Sequence, residues 1–256
     1  MRFRPLVLCY HAICDGWNHP LAVDAGTLER QLRLLLRGGL APAGAREILF
    51  NRGRSFHVTF DDGYRNVASA IPVLERLEIP ATVFVCTGYA RDGRRLVIPE
   101  LADQDCGGDH LLTMTWDAVR ELAERGVEIG SHSVSHPHLH QLTDVEVRRE
   151  LADSREEIET ELGRPCRFLA YPYGDEDARV QGGARAAGYV AAYTLRRSGR
   201  SANPLALPRA DVYRGDRLVR FAAKASPAGR PAMAALTGVR RRVRRPRPSH
   251  PAGAPA

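Results

Sequence analysis

The chain has 256 residues, a length suited to one large α/β domain rather than two. Its composition, 44% hydrophobic and 26% charged, excludes whole-chain disorder, a collagen-like repeat and a disulfide scaffold. The formal net charge is +7, but residues 1–229 carry equal numbers of basic and acidic side chains, whereas residues 230–256 carry seven arginines and no acid. The body of the chain is therefore neutral and the basicity belongs to a tail.

Taken in order, short apolar runs alternate with helical patterns. Leu6–Tyr10 reads as a buried strand. The basic start before it is like that of a signal peptide, but the apolar stretch is short and no small-residue cleavage site follows, so a first strand and a cytoplasmic protein are expected. The leucines at 28, 32, 35 and 36 predict a helix over 27–37, stopped by Gly38-Gly39. Ser55–Phe60 is a second strand. Asn66–Leu77 follows as a helix, with a kink expected at Pro72. Ala81–Cys86 is a strand. Residues 91–113 are long, rich in Gly and Asp and without a period, and are read as a loop over the active-site face. Trp116–Glu124 is a helix with Thr115 as its N-cap, and Val127–Gly130 is a short strand. Asp144–Leu162 is the clearest helix, opened by a capping box of Thr143 and Glu146 and closed by Gly163. Arg167–Ala170 is a strand, 177–187 a helix and Tyr189–Leu195 a strand. Such alternation implies a parallel sheet, open or closed as a barrel.

Five cysteines (Cys9, Cys14, Cys86, Cys106, Cys166) are too scattered for a disulfide framework and form no CxxC pair; Cys9 and Cys86, within apolar runs, are read as core. Lys224 is the sole lysine, which argues against Schiff-base chemistry. No run approaches the length of a membrane helix.

Reactive residues follow the predicted strands. His11 follows the first, Asp61-Asp62-Gly63 the second, Ser131-His132 and His136 the strand at 127–130, and Pro172-Tyr173-Gly174 the strand at 167–170. In parallel α/β folds that C-terminal edge is where sites are built. Adjacent desolvated carboxylates at Asp61 and Asp62 repel unless a cation sits with them; alone, the pair could equally be a cap beside a turn. The run SHSVSHPHLH holds four of the nine histidines, His132, His136, His138 and His140, and points to metal binding. Two histidines and a carboxylate with open positions make a catalytic zinc site or a non-haem iron triad.

The segments Thr59–Tyr64 (TFDDGY), His132–Pro137 (HSVSHP) and Ala170–Gly174 (AYPYG), within a match over roughly 5–215, resemble the polysaccharide deacetylases of the NodB-homology type, carbohydrate esterase family 4. That resemblance implies a distorted (β/α)7-type barrel, a divalent metal, with zinc the expected ion, and hydrolysis of N-acetyl groups on a sugar. It implies that Asp62, His132 and His136 hold the metal, that Asp61 is the general base, and that Tyr173 supplies an oxyanion N–H beside Pro172. The early Tyr10-His11 is similar to the circularly permuted branch, in which His11 would be the general acid. Hydrolysis of an unreactive amide needs these same parts: a Lewis acid, a base for the water, an acid for the leaving amine and donors for the oxyanion.

There are departures. The family usually carries an arginine where this chain has Ala170; Arg209, in LPRADV, is expected to fill the same space and orient Asp61. The later Asp-x-x-Asp-Trp motif is absent, with Asp211 and Asp216 as weak stand-ins. His138 and His140 are read as non-ligands, because a catalytic zinc keeps three protein ligands and an open position. His57 is read as a structural histidine, and Tyr64 as stacking on a sugar or packing in the core. The expected domains are a catalytic 1–224 and an Arg/Pro/Ala-rich tail, 225–256. The reaction expected is N-deacetylation of a polysaccharide or lipid-linked glycan precursor. The alternatives are an amidohydrolase acting on a small ring amide and a non-catalytic carbohydrate-binding barrel. The tail arginines, Arg240 to Arg247, are read as solvated or as a peripheral contact with an anionic membrane. Nucleic-acid binding is not expected, since no such fold or interleaved aromatics accompany them.

Overall fold

The computed structural model describes residues 5–50, 53–99, 109–195 and 203–226. The arginine tail beyond 226, Cys106 and the middle of the 91–113 loop lie outside the described residues. Six strands lie side by side in chain order: β1 (Leu6–Tyr10), β2 (Ser55–Phe60), β3 (Ala81–Val85), β4 (Glu128–Ser131), β5 (Phe168–Ala170) and β6 (Ala191–Thr194). All their pairings are parallel, and the β1–β2 register runs from Leu6 opposite Phe56 to Tyr10 opposite Phe60. One short segment then joins the two edges. Its first half, β7 (Leu207–Pro208), pairs with β6, and its second half, β8 (Ala210–Asp211), pairs with β1. The sheet thereby becomes a nearly closed parallel barrel with seven strand positions. Arg209 sits at the seam, its N–H on the carbonyl of Thr194 at 3.0 Å.

Strands β1, β2 and β3 are buried along their whole length, as expected where both faces of a parallel sheet are covered. The outward face packs on helices α1 (Ala25–Arg37), α2 (Ile71–Arg76), α3 (Trp116–Glu124), α4 (Asp144–Leu162), α5 (Ala178–Ala186) and α6 (Leu218–Ala225). The inward face forms a second apolar cluster of Val7, Phe84, Phe168, Ala170, Ala191 and Tyr193, plugged by Ala43, Ala45 and Ile48. Rings fill this interior where small residues make room. A Cβ on Gly130 would lie 2.4 Å from the ring of Phe84 and 2.9 Å from the carbonyl of Phe168.

Local chemistry sets the element ends. Asp24 caps α1 by accepting from the Thr27 N–H at 2.7 Å, so the helix starts two residues earlier than the leucine spacing predicts. The single helix predicted over 66–77 is instead a 3₁₀ segment, Arg65–Ala70, followed by α2. Pro72 lies in the first turn of α2, where its missing N–H costs no helical bond. The capping box of Thr143 and Glu146 is formed, and Gly163 closes α4 in the left-handed region. Thr115 precedes α3 but makes no side-chain capping bond. His57 faces the interior and uses both ring nitrogens, with the Ala43 carbonyl at 2.8 Å and Thr82 Oγ1 at 2.9 Å. Among the described residues, no helix is long and apolar enough to cross a membrane.

Candidate active site

Four strands deliver their following residues to one mouth of the barrel. Asp61 and Asp62 leave β2, His132 and His136 leave β4, Tyr173 leaves β5, and His11 leaves β1. The first four are nearly or wholly removed from solvent. Asp62 Oδ1 lies 3.3 Å from His132 Nε2 and 3.3 Å from His136 Nε2, and the remaining oxygen, Oδ2, is buried without a hydrogen-bond partner. A tetrahedral zinc centre with bonds of about 2.0–2.1 Å has ligand–ligand edges of about 3.3 Å. The donor set and its spacing thus fit a divalent ion, and the orphaned Oδ2 adds an oxygen that such an ion would satisfy.

The backbone is bent to make this cluster. Among the described residues five non-glycine residues have positive φ, and four of them are here: Asp62 (70°), Ser133 (67°), His136 (61°) and Tyr173 (59°). Conformations of this kind persist only where the surroundings hold them. The His132–His136 loop is held from several sides. Ser131 Oγ accepts from the Ser133 N–H and Ser133 Oγ from the His136 N–H, both at 3.1 Å. Glu150, on α4, accepts from the N–H groups of Val134 and Ser135 at 2.9 Å each and from the Ser135 hydroxyl at 2.6 Å. His132 Nδ1 pairs with the Ala170 carbonyl at 2.8 Å. That bond fixes the ring through Nδ1 and turns Nε2 toward Asp62.

The two adjacent carboxylates have different partners. Arg209 reaches across the interior and binds Asp61 in a fork, Nη1 to Oδ1 and Nη2 to Oδ2, both at 2.6 Å. Its guanidinium lies over the rings of Phe84 and Tyr193 at 5.5 and 5.8 Å, in the cluster that includes Ala170. Arg209 thus borders the apolar cluster of which Ala170 is a member. Cys9, which that reading assigned to packing alone, also directs its thiol at Asp61 Oδ2, 3.3 Å away.

Burial pushes the Asp61 carboxyl up, but Arg209, His132 and His11 together bring it below its ordinary value. Burial likewise pushes Asp62 up, and the bonds from His132 and His136 carry it well below. Burial lowers His132, yet the carboxylates of Asp61 and Asp62 leave it raised. His136 remains lowered because burial outweighs its contact with Asp62. Cys9 is held as a neutral thiol chiefly by burial.

The other predicted residues are placed as follows. His11 is 8% exposed, its Nδ1 is buried without a hydrogen-bond partner, and a ring nitrogen lies within 4.8 Å of ligand atoms of both Asp61 and Cys9. Pro172 and Gly174 bracket Tyr173, whose ring meets His136 edge-on at 4.7 Å. Tyr64 is wholly buried, with its hydroxyl donating to the Leu96 carbonyl at 3.1 Å, so it packs beneath the 91–113 segment and offers no face to a sugar. His138 and His140 stand apart from the Asp62 cluster, beside Asp175. Asp211 and Asp216 lie at the β8–α6 end, where Lys224 bonds the Asp211 carbonyl and the Asp216 carboxylate.

The chain is similar to known proteins in sequence and in fold. The family model for polysaccharide deacetylases matches residues 51–192, a span holding Asp61, Asp62, His132, His136 and Tyr173 but neither His11 nor Arg209. YxkH of Bacillus subtilis strain 168, whose name places it among polysaccharide deacetylases, is 27% identical over 191 residues; the alignment covers 72% of this chain and 61% of YxkH. The fold is shared with PplD, a Streptococcus pyogenes deacetylase solved in complex with acetate (TM-score 0.72, 22% identity, 89% of this chain and 100% of PplD). It is shared too with IcaB from Ammonifex degensii (TM-score 0.71, 24% identity, 87% and 97%) and with BA0330 from Bacillus anthracis (TM-score 0.72, 22% identity, 88% and 70%). The chain belongs to the polysaccharide deacetylase family.

Proposed function

We propose that the chain is a divalent-metal-dependent hydrolase that removes N-acetyl groups from a sugar, carried on a polysaccharide or a lipid-linked glycan precursor. The observation that carries this reading is the Asp62–His132–His136 cluster, with Asp62 Oδ1 3.3 Å from each imidazole Nε2, set beside a carboxylate that an arginine keeps ionised. In this reading Asp62, His132 and His136 hold the ion, with zinc the expected one. When bound, it polarises the acetamide carbonyl and makes water nucleophilic near neutral pH.

The chain's own residues do the rest. Asp61, forked by Arg209, accepts the proton of the attacking water as the new C–O bond forms. The Tyr173 backbone N–H donates to the carbonyl oxygen as it gains negative charge, and the turn between Pro172 and Gly174 aims it. His11 then gives a proton to the amine nitrogen as the C–N bond breaks, so that acetate and the free amino sugar leave. Arg209 positions Asp61 and touches no reacting atom.

The test is acetate release across a panel of N-acetylated sugars, including chitooligosaccharides, with Asp62→Ala as control. The expected result is release that chelation abolishes, that a divalent ion restores and that the control lacks. Hydrolytic opening of a ring amide with no acetate release would point to that substrate class, and neither reaction from a metal-loaded protein would leave a binding barrel.

A further inference from the structure

We propose that His138, His140 and Asp175 form a second metal site, one tyrosine ring away from the Asp62 cluster, that takes a zinc-class divalent ion. His138 and His140 lie two residues apart at the 3₁₀ turn Leu139–Gln141, and Asp175 follows the Tyr173 turn. Asp175 Oδ2 is 3.0 Å from His138 Nδ1 and 3.7 Å from His140 Nδ1. The longer gap exceeds hydrogen-bond reach. Both gaps bracket the edge of about 3.3 Å that four-coordinate zinc imposes on its ligands. The donor set, two imidazole nitrogens and one carboxylate oxygen, selects zinc, copper, nickel or cobalt over magnesium and calcium.

The surroundings make a built frame. Arg179 donates to the carbonyls of Leu139 and His140 at 3.4 and 3.1 Å, fixing the histidine-bearing turn. The Asp175 N–H is tied to the Pro172 carbonyl at 3.1 Å, fixing the carboxylate-bearing turn. All three residues are partly open to solvent, so an ion can enter and water can complete its coordination. The site also couples to the inner cluster. The ring of His138 stacks on Tyr173 with centroids 3.8 Å apart and planes 16° from parallel, and Tyr173 in turn abuts His136. An ion here pins the turn that carries Tyr173.

Equilibrium dialysis of the full chain against zinc, followed by elemental analysis, tests the site without measuring activity. Two equivalents are expected for the native protein, one for His140→Ala and for Asp175→Asn, one for Asp62→Ala, and none for the Asp62→Ala/His140→Ala double variant. Magnesium in excess should displace neither equivalent. Zinc content that neither His140→Ala nor Asp175→Asn lowers, whatever the native total, overturns the proposal. Loss of the inner ion alone in Asp62→Ala keeps this test separate from the deacetylase reading, which fails only if the inner equivalent or acetate release is absent.

Discussion

Arg209 and Asp61, 148 residues apart in sequence, form a fork of two 2.6 Å bonds at the centre of the barrel mouth, and neither side chain is exposed. This pair resolves the problem posed by two neighbouring buried carboxylates. Asp61 receives a fixed internal cation, which leaves Asp62 to the histidines. Arg209→Ala removes the cation and leaves a buried charge, which should cost about 3–5 kcal/mol of stability. Burial then acts on Asp61 unopposed by Arg209, so its carboxyl rises, and the acid limb of the pH–rate profile should move to higher pH. Acetate release at neutral pH should fall by roughly 10²-fold or more if Asp61 is the base. Bound metal should persist, since Arg209 touches none of its ligands. Arg209→Lys should rescue stability in part but not rate, because an ammonium cannot make the fork. An Arg209→Ala protein with the native pH profile would refute the positioning role.

Removing the metal is the second test. Chelation should abolish acetate release and leave Asp62, His132 and His136 as an uncompensated buried cluster. An ion held at 100 times its Kd contributes about 2.7 kcal/mol to stability. The melting temperature should therefore drop on chelation and recover on adding zinc, and Asp62→Ala should show neither response at the inner site. Calorimetry with and without chelator measures this directly.

How much of this was legible in the sequence differs by residue. The strands and the long helices announce themselves because each obeys one local rule, an apolar run or a 3.6-residue period closed by a cap. Asp62, His132 and His136 were legible because short motifs hold them at strand ends, where chain order alone fixes their position. The seam was not. Leu207–Asp211 is a five-residue segment whose halves pair with different strands, and two residues per half are too few for any period to show. The Cys9 thiol on Asp61 was hidden because its burial in an apolar strand looks like packing. Glu150 was hidden because its partners are backbone N–H groups of a loop on another element. The grouping of His138 and His140 with Asp175 depends on a contact between two turns, which spacing within either turn does not reveal.

Gly174→Ala probes the oxyanion turn. Gly174 has φ of +65°, and a Cβ there would fall 2.3 Å from the backbone nitrogen of Leu195 and 2.5 Å from its Cβ. Backbone cannot step aside as a side chain can, so the turn must shift and carry the Tyr173 N–H with it. Loss of one aimed oxyanion donor typically costs about 10²–10³-fold in kcat. That loss should appear in kcat with the inner metal equivalent retained, because Asp62, His132 and His136 sit on other loops. A Gly174→Ala protein with unchanged kcat would remove Tyr173 from the mechanism.

His57 gives a prediction about acid stability. Burial holds it neutral, with its pKa lowered to about 4, while both ring nitrogens stay bonded. Once unfolded, it binds a proton near its ordinary value of about 6.5. Between those values the unfolded chain holds more protons than the folded one, so acid favours unfolding. The contribution of neutral His57 is complete above about pH 6.5 and drains away as the pH falls toward 4, by about 3 kcal/mol in all. Other buried groups titrate over the same range, so the informative quantity is a difference. His57→Gln stays neutral at every pH and should be less stable than the native protein near neutrality, because an amide cannot copy the imidazole geometry between Ala43 and Thr82. In urea unfolding with chelator present, that gap should narrow by about 2–3 kcal/mol between about pH 7.5 and about pH 4.5. A gap that stays constant over that range would mean that His57 is protonated in the folded barrel, contrary to its burial.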